Sequence, residues 1–330
     1  MIIAVYVDDS ILMSNRLKTL LSEKKQLGDR FEMDDRGEIH YILGMTVKRD
    51  RVHRTLTIDQ SGYLQDVLVR FGMENCRPIS TPVDHDAKFV SIPQDEEPID
   101  VNLYQAVIGS LNYAAICTRP DISTAVGIFS RYMQRPGKQH WIGIKPVLRY
   151  VKGTINHGLV FDDQSENFKL EAFSDSDWAG CVETRKSTSG NMFRLGNATI
   201  AWKSKKQPIV ALSSTEAEYI ALCAATQEVV WLRRLLAGID LPQKDPTTVF
   251  EDNQGAMALS KNPKNHSRTK HIDVKYHYVR ESVDNGTIAV EYCPTAEMVA
   301  DTLTKGLAKP KFEKFRKDMA VLDVSSIRTI

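Results

Sequence analysis

Hydrophobic and polar positions change rhythm along this chain. Residues 2–7 form an apolar, β-prone run and Ser10-Ile11-Leu12-Met13 forms another. Asp8-Asp9 between them predicts a tight hairpin with two acids at its tip. Leu17, Leu20, Leu21, Leu27 and Phe31 then recur at helical spacing. Tyr41–Val47 and Leu56–Ile58 read as strands joined by the basic loop Lys48-Arg49-Asp50-Arg51, and Ser61 as the N-cap of a helix through Phe71. From Cys76 to Asp100, Pro78, Pro82, Pro93 and Pro98 sit among acids and polar residues, which predicts a linker or long loop. Helical spacing returns over 102–152, as Leu103–Ile116, Ile122–Met133 and Gln139–Lys152, with Pro146 expected to kink or shorten the last.

After about Glu166 the period shortens to that of strands. Phe168–Asp175, Gly190–Leu195 and Ala198–Lys203 read as three antiparallel strands, with Gly196-Asn197 as a hairpin turn. A long helix, Glu216 to Leu236, closes at Gly238. Then follow a strand (Thr247–Asp252), a helical stretch, a helix through His271–Ser282, a strand (Thr287–Tyr292) and a final helix from Ala296. The order βββ-α-β-α-β-α predicts an α/β (α+β) fold with a mixed five-stranded sheet and flanking helices.

Composition changes this picture little. At 330 residues the chain has room for two or three domains. A net charge of +1 provides no global pull toward nucleic acid, so such binding must come from local patches. No apolar run is long enough to span a bilayer, and the apolar start meets Asp8-Asp9 without a basic leader. Five scattered cysteines with no Cys-x-x-Cys read as reduced thiols of an intracellular protein, not as a zinc site.

Candidate chemistry lies in carboxylates. Phe173-Ser174-Asp175-Ser176-Asp177-Trp178-Ala179-Gly180 reads as a strand end carrying two acids into a small-residue turn. Glu218 shares a helix face with Ala221, Leu222, Ala225, Val229 and Leu232, all apolar. A carboxylate heading a buried stripe is costly unless its charge is met. Glu216 instead has capping-box spacing to Ser213. Asp252 ends a strand, where it reads equally as a site acid or a helix N-cap; Asp301 alone reads as a boundary acid, and Asp177 as a ligand or an outer acid. Brought together, Asp175, Glu218, Asp252 and Asp301 would repel strongly without a cation. Oxygen-only ligands favour Mg²⁺ or Mn²⁺ over zinc.

Tyr6-Val7-Asp8-Asp9 resembles the YxDD hairpin of a reverse transcriptase palm. Leu43-Gly44-Met45, Ser80-Thr81-Pro82-Val83, Gly109-Ser110-Leu111-Asn112-Tyr113, Thr118-Arg119-Pro120-Asp121-Ile122 and Leu148 to Thr154 resemble the following blocks of Ty1/copia-type retrotransposon Pol polyproteins. Ser174 to Gly180, Lys186 to Gly190, Trp202 to Gln207, Ser213 to Tyr219, Asp252-Asn253-Gln254, Lys270 to Asp273 and Ala300 to Lys305 are similar to the ribonuclease H domain of the same polyproteins.

The resemblance implies a partial palm over 1–75, a Pro-rich linker over 76–101 and a thumb-like helical region over 102–160. It further implies a ribonuclease H-like domain over 166–308 and a C-terminal tail over 309–330. By position it makes Asp175, Glu218, Asp252 and Asp301 the catalytic and metal-binding acids, and Asp8 and Asp9 the paired metal-binding acids of the palm. The family's third palm aspartate lies upstream of YxDD, and here Tyr6 is five residues from Met1. The fingers, most of the palm and that aspartate are therefore expected to be missing, and polymerisation by this chain alone is not expected. His271 and His277 read as helix-surface or packing histidines.

The implied reaction is hydrolysis of RNA paired with DNA, at two Mg²⁺ or Mn²⁺ ions about 3.5–4 Å apart. The hybrid would be recognised by backbone shape and the 2′-OH. Arg185, Lys186, Lys203, Lys205 and Lys206, with Trp202, would make a local phosphate-binding patch, or else a solvated strand edge. Expected partners are the hybrid and the rest of a Pol polyprotein, without membrane or small-molecule cofactor. The expected setting is cytoplasmic, in a virus-like particle, or nuclear. The alternative is an inactive relic that binds nucleic acid without cutting it.

Overall fold

A computed structural model of the chain describes residues 1–162, 168–261 and 273–327. Strands β1 (Ile2–Tyr6) and β2 (Asp9–Met13) pair antiparallel, with Tyr6 opposite Asp9 and Val7-Asp8 as the turn. Among the described residues no further strand joins this hairpin, and Ile3, Val5, Tyr6 and Val7 stay exposed. Helix α1 (Leu17–Arg30) follows without a buried residue.

Strands β3 (Tyr41–Ile42), β4 (Met45–Asp50) and β5 (Thr55–Asp59) come next. The single strand expected over Tyr41–Val47 is broken by a turn in which Leu43 and Gly44 take φ of 48° and 73°. An apolar leucine in the left-handed region hides that turn from the hydrophobic pattern. Lys48 and Arg49, expected in a loop, continue strand β4. Helix α2 (Ser61–Arg70) has Gln60, not Ser61, at its N-cap; the Ser61 hydroxyl donates to Asp59 Oδ1 at 2.6 Å.

Helix α3 (Val101–Cys117) is capped by Asp100, whose carboxylate accepts from the Leu103 amide at 3.0 Å. A 3-10 turn (Pro120–Ile122), α4 (Ser123–Ser130) and α5 (Lys138–Gly153) complete a helical layer, and α5 runs on through Pro146. Arg119 is fully buried here, donating from Nε and Nη2 to the two Asp121 oxygens at 2.9 and 2.8 Å and from Nη1 to the Thr154 carbonyl at 3.0 Å. Tyr150 donates to Asp121 at 2.6 Å, so the buried pair is fully bonded.

Strand β6 (His157–Asp162) leads into the second half. There β7 (Leu170–Asp177), β8 (Thr188–Leu195) and β9 (Ala198–Lys206) form an antiparallel meander. Helix α6 (Ser214–Gly238) follows, with Ser213 Oγ accepting from the Glu216 amide at 3.1 Å and Glu216 accepting from the Leu212 amide at 2.9 Å. Strand β10 (Thr247–Glu251) then pairs parallel with β7. After α7 (Gln254–Lys261) and α8 (Asp273–Asp284), β11 (Ile288–Tyr292) pairs parallel with β10. The result is the mixed five-stranded sheet, in the order β11-β10-β7-β8-β9.

The helix expected from Ala296 is instead a 3-10 turn (Val299–Leu303) and a separate α9 (Lys309–Asp318). Strand β12 (Val321–Asp323) closes the described chain, pairing with β6 in a second five-stranded sheet ordered β12-β6-β5-β4-β3. Residues 309–323, read from sequence as a tail, thus contribute a helix and a strand. Strand alternation divides the core. Leu170, Ala172, Val249 and Val290 pack with Tyr219, Leu222, Ala225 and Val229 of α6. Phe173 and Met192 face the other way, into a larger core with Val299, Leu303, Phe315 and the helices α3–α5.

That second core sets the position of the 3-10 turn. Thr124 Oγ1 donates to the Thr302 carbonyl at 2.7 Å, tying α4 to the turn. Gly190 of β8 lies under it: a Cβ there would stand 2.7 Å from the Ala300 carbonyl oxygen and 2.9 Å from Leu303 Cβ. Gly190→Ala is therefore expected to destabilise the fold by about 1–2 kcal/mol through overpacking, read as a lower urea midpoint. An unchanged midpoint would show that the turn can move away freely.

Candidate metal centre

Asp175 lies near the C-terminal end of the central strand β7, on the face turned toward the 3-10 turn, opposite Gly190 in register. Glu218 comes from the first turns of α6, and the stripe behind it (Ala221, Leu222, Ala225, Val229, Leu232) is buried. Asp252 directly follows β10. One carboxylate oxygen from each of these three lies within 4.8 Å of the others. Among the described residues this is the only group of three or more such side chains with that geometry.

Each acid is held differently. Asp175 is 3 % exposed, and its Oδ2 accepts from Thr304 Oγ1 at 2.7 Å. Asp252 Oδ2 accepts from Thr295 Oγ1 at 2.7 Å. Glu218 Oε2 is buried with no hydrogen-bond partner. Loss of hydration, with the nearby Asp301 charge, pushes Asp175 up to about 7. Burial, and then the charges of Asp175, Glu251 and Asp252, push Glu218 up to about 11. An orphaned buried oxygen and three convergent carboxylates fit a hard divalent cation and suit Mg²⁺ or Mn²⁺.

Asp301 reaches the same region from the 3-10 turn but is engaged elsewhere. Its Oδ2 accepts from Lys311 Nζ, whereas its Oδ1 lies 2.6 Å from Lys305 Nζ as an ion pair without hydrogen-bond geometry. Burial disfavours the charge on Lys305, yet the carboxylates of Asp175, Asp301 and Asp177 hold its pKa above the usual lysine value. Asp177 is raised, chiefly by burial, and its carboxylate folds back against Gly180.

Sequence reasoning missed Glu251. Alternation places it across the strand from Asp252, on the α6 side, and it is wholly buried there. Its Oε1 accepts from the Asn253 amide at 3.2 Å, its Oε2 has no partner, and burial raises its pKa well above the usual carboxylate range. Lys305 and Lys311 were missed as well. The i,i+4 spacing of Asp301 and Lys305 was the available signal.

The remaining predicted residues do not join this group. Asp8 and Asp9 are exposed at the β1–β2 tip, outside the sheet that carries the centre. Lys203, Lys205 and Arg185 are exposed, and Lys206 is half-buried. Lys186 Nζ donates to the Pro208 carbonyl at 2.6 Å. Trp202 turns inward: its indole N–H donates to the Ala115 carbonyl at 2.7 Å, and its ring packs on the core with the helical layer. His277 is exposed on α8, whereas His271 falls outside the described residues.

A family model described as reverse transcriptase (RNA-dependent DNA polymerase) matches residues 1–85. The retrovirus-related Pol polyprotein from transposon TNT 1-94 of Nicotiana tabacum is 41% identical over 320 residues, 94% of this chain. The chain belongs to the Ty1/copia-type retrotransposon Pol polyprotein family. The Pol polyprotein from transposon RE2 of Arabidopsis thaliana is 38% identical over 97% of the chain. This copia-type chain spans 24% and 22% of the length of those two relatives. The foamy viral protease-reverse transcriptase dRH in complex with double-stranded DNA is 16% identical, covering 89% of this chain and 46% of that one, at a TM-score of 0.48.

Proposed function

We propose that this copia-type chain is a metal-dependent ribonuclease that cuts the RNA strand of an RNA/DNA hybrid. The observation that carries the reading is the convergence of Asp175, Glu218 and Asp252 from three separate elements, with the pKa values of Asp175 and Glu218 raised and Glu218 Oε2 orphaned. These three would hold Mg²⁺ or Mn²⁺. The bound cation would supply a water of lowered pKa and a Lewis acid for the phosphate oxygens.

The chain's own groups do the rest. Thr304 fixes one oxygen of Asp175, and Thr295 fixes one oxygen of Asp252 in the same way. Glu218 is locked by the buried stripe of α6, so the cluster needs little reorganisation when the substrate arrives. No side chain need form a covalent intermediate. Exposed Lys203 and Lys205 on the edge strand β9 and Arg185 would bind phosphates of the hybrid. Trp202, committed to the interior, is left out of that surface. RNA-directed DNA synthesis is outside the proposal, because no third carboxylate joins Asp8 and Asp9 among the described residues. The rest of a Pol polyprotein is the natural partner.

An end-labelled RNA annealed to DNA, incubated with the chain and Mg²⁺, tests this. Internal cuts in the RNA, lost on chelation and absent from single-stranded RNA, are the expected result. An intact hybrid at every Mg²⁺ and Mn²⁺ concentration would overturn it.

A further inference from the structure

A cavity of about 420 Å³ is lined by residues of β7, β8, β10, β11 and α9. That volume lies within the range of small-molecule sites. None of Asp175, Glu218, Asp252 and Asp301 lines it, so it is a separate space from the carboxylate centre. Much of its lining is aromatic. Phe173 and Phe250 stack there, with ring centres 4.8 Å apart and planes 28° from parallel. Phe250 is half-buried, and Tyr292, half-exposed, lines the same space. The Arg194 guanidinium carbon stands 5.3 Å from the Phe173 ring centre, and its Nη2 pairs with Glu171 at 2.6 Å.

Charges of both signs share this aromatic cavity: Arg194 and Lys314 against Glu297 and Asp318. Lys314 Nζ donates to the Ala296 carbonyl at 3.0 Å, which leaves two of its N–H groups for an incoming acceptor. A purely apolar ligand would strip water from these charges and put nothing in its place. A simple inorganic anion would gain nothing from the rings. A nucleotide meets both demands. Its base offers a flat π face to the rings and an edge of donors and acceptors to the carboxylates and Arg194, and its phosphate offers acceptors to Lys314. We propose that this cavity is a nucleotide-binding site, distinct from the metal centre, which holds a base by stacking and a 5′-phosphate at Lys314. A free mononucleotide and an unpaired terminal nucleotide of a strand present the same chemistry.

Calorimetric titration of the whole chain in chelator tests this, since the cavity needs no metal ion. Adenosine monophosphate is expected to bind, adenosine about tenfold more weakly for want of the phosphate contact, and ribose 5-phosphate not measurably. Phe250→Leu is expected to weaken adenosine monophosphate and adenosine alike, by about tenfold. Lys314→Met, at an exposed position, is expected to weaken adenosine monophosphate about tenfold and to leave adenosine unchanged. A urea midpoint on each variant confirms folding. An RNA/DNA hybrid ending in one unpaired adenosine, titrated beside its blunt counterpart, separates the two sources. Tighter binding that adenosine monophosphate competes away assigns the site to a strand end, and equal binding assigns it to the free nucleotide. No binding of adenosine monophosphate to the wild type at millimolar concentration would overturn the proposal. So would ribose 5-phosphate binding as tightly as adenosine monophosphate, or an affinity unmoved by both substitutions.

Discussion

Asp175→Asn is expected to abolish hybrid cleavage and at the same time to stabilise the ion-free protein. The two effects share one cause. Asp175 is 3 % exposed, and burial together with the Asp301 charge lifts its pKa to about 7. Ionised above that pH, it is a desolvated charge among like charges and opposes folding unless a cation is bound. Asparagine keeps the shape and still offers an acceptor to Thr304, but carries no charge. Above about pH 8 the gain in ion-free stability is expected to be on the order of 2–4 kcal/mol, from a difference of about three pKa units. Cleavage is expected to fall by more than about 10³-fold, beyond the loss of one fixed hydrogen-bond donor. Single-turnover cleavage and urea unfolding in chelator measure the pair, and the variant also controls for a contaminating nuclease. Loss of cleavage together with loss of stability would mean that Asp175 holds the fold and not an ion. Retained cleavage would place the reaction elsewhere.

What the sequence disclosed follows from which interactions are local. The stripe behind Glu218 repeats along a single helix, so its burial could be counted off the chain. The Ser213–Glu216 cap spans one turn and was equally legible. The βββ-α-β-α-β-α order was enough to expect the mixed sheet that carries the centre. Strands β6 and β12 went unseen because their partners lie far off in sequence and β12 has only three residues, too few for a period to register. The Leu43-Gly44 turn was masked by an apolar residue at positive φ.

Within the centre, the chain's pattern pointed to Glu218, and family resemblance raised Asp252 and Asp301 above their local readings. Alternation sends Glu251 across the sheet from Asp252. That is where it lies, but Glu218 enters from the same side, so the acids straddle the sheet at the C-terminal ends of β7 and β10. Lys311 could not be assigned to Asp301, because a positive charge 10 residues from an acid says little about whether the two meet in space.

The ion-free protein is expected to lose stability as pH rises above neutrality, and bound Mg²⁺ to reverse the trend. Glu218, ordinarily near 4.5, is lifted to about 11 by burial and by Asp175, Glu251 and Asp252. An acid with a raised folded pKa holds its proton more tightly when folded. Its contribution is therefore full below the unfolded pKa and is lost as pH climbs through the folded one. Between about pH 7 and about pH 8.5 Glu218 remains in that window and contributes a downward slope of about 1 kcal/mol per pH unit. Lower pH is a poorer place to look. His157, driven down to about 4 chiefly by burial, gives an opposite slope below its ordinary value of 6.5. Glu218→Gln is expected to flatten the slope above neutrality. Mg²⁺ at about 100 times its dissociation constant should add about 2.7 kcal/mol to the wild type. That increment should grow with pH, since carboxylates must shed their protons to take up the ion. Urea midpoints across this range, with Mg²⁺ and with chelator, provide the measurement. A chelated wild type whose stability rises with pH above neutrality, or a Glu218→Gln variant with the same slope, would show that the buried carboxylates are not what the ion neutralises.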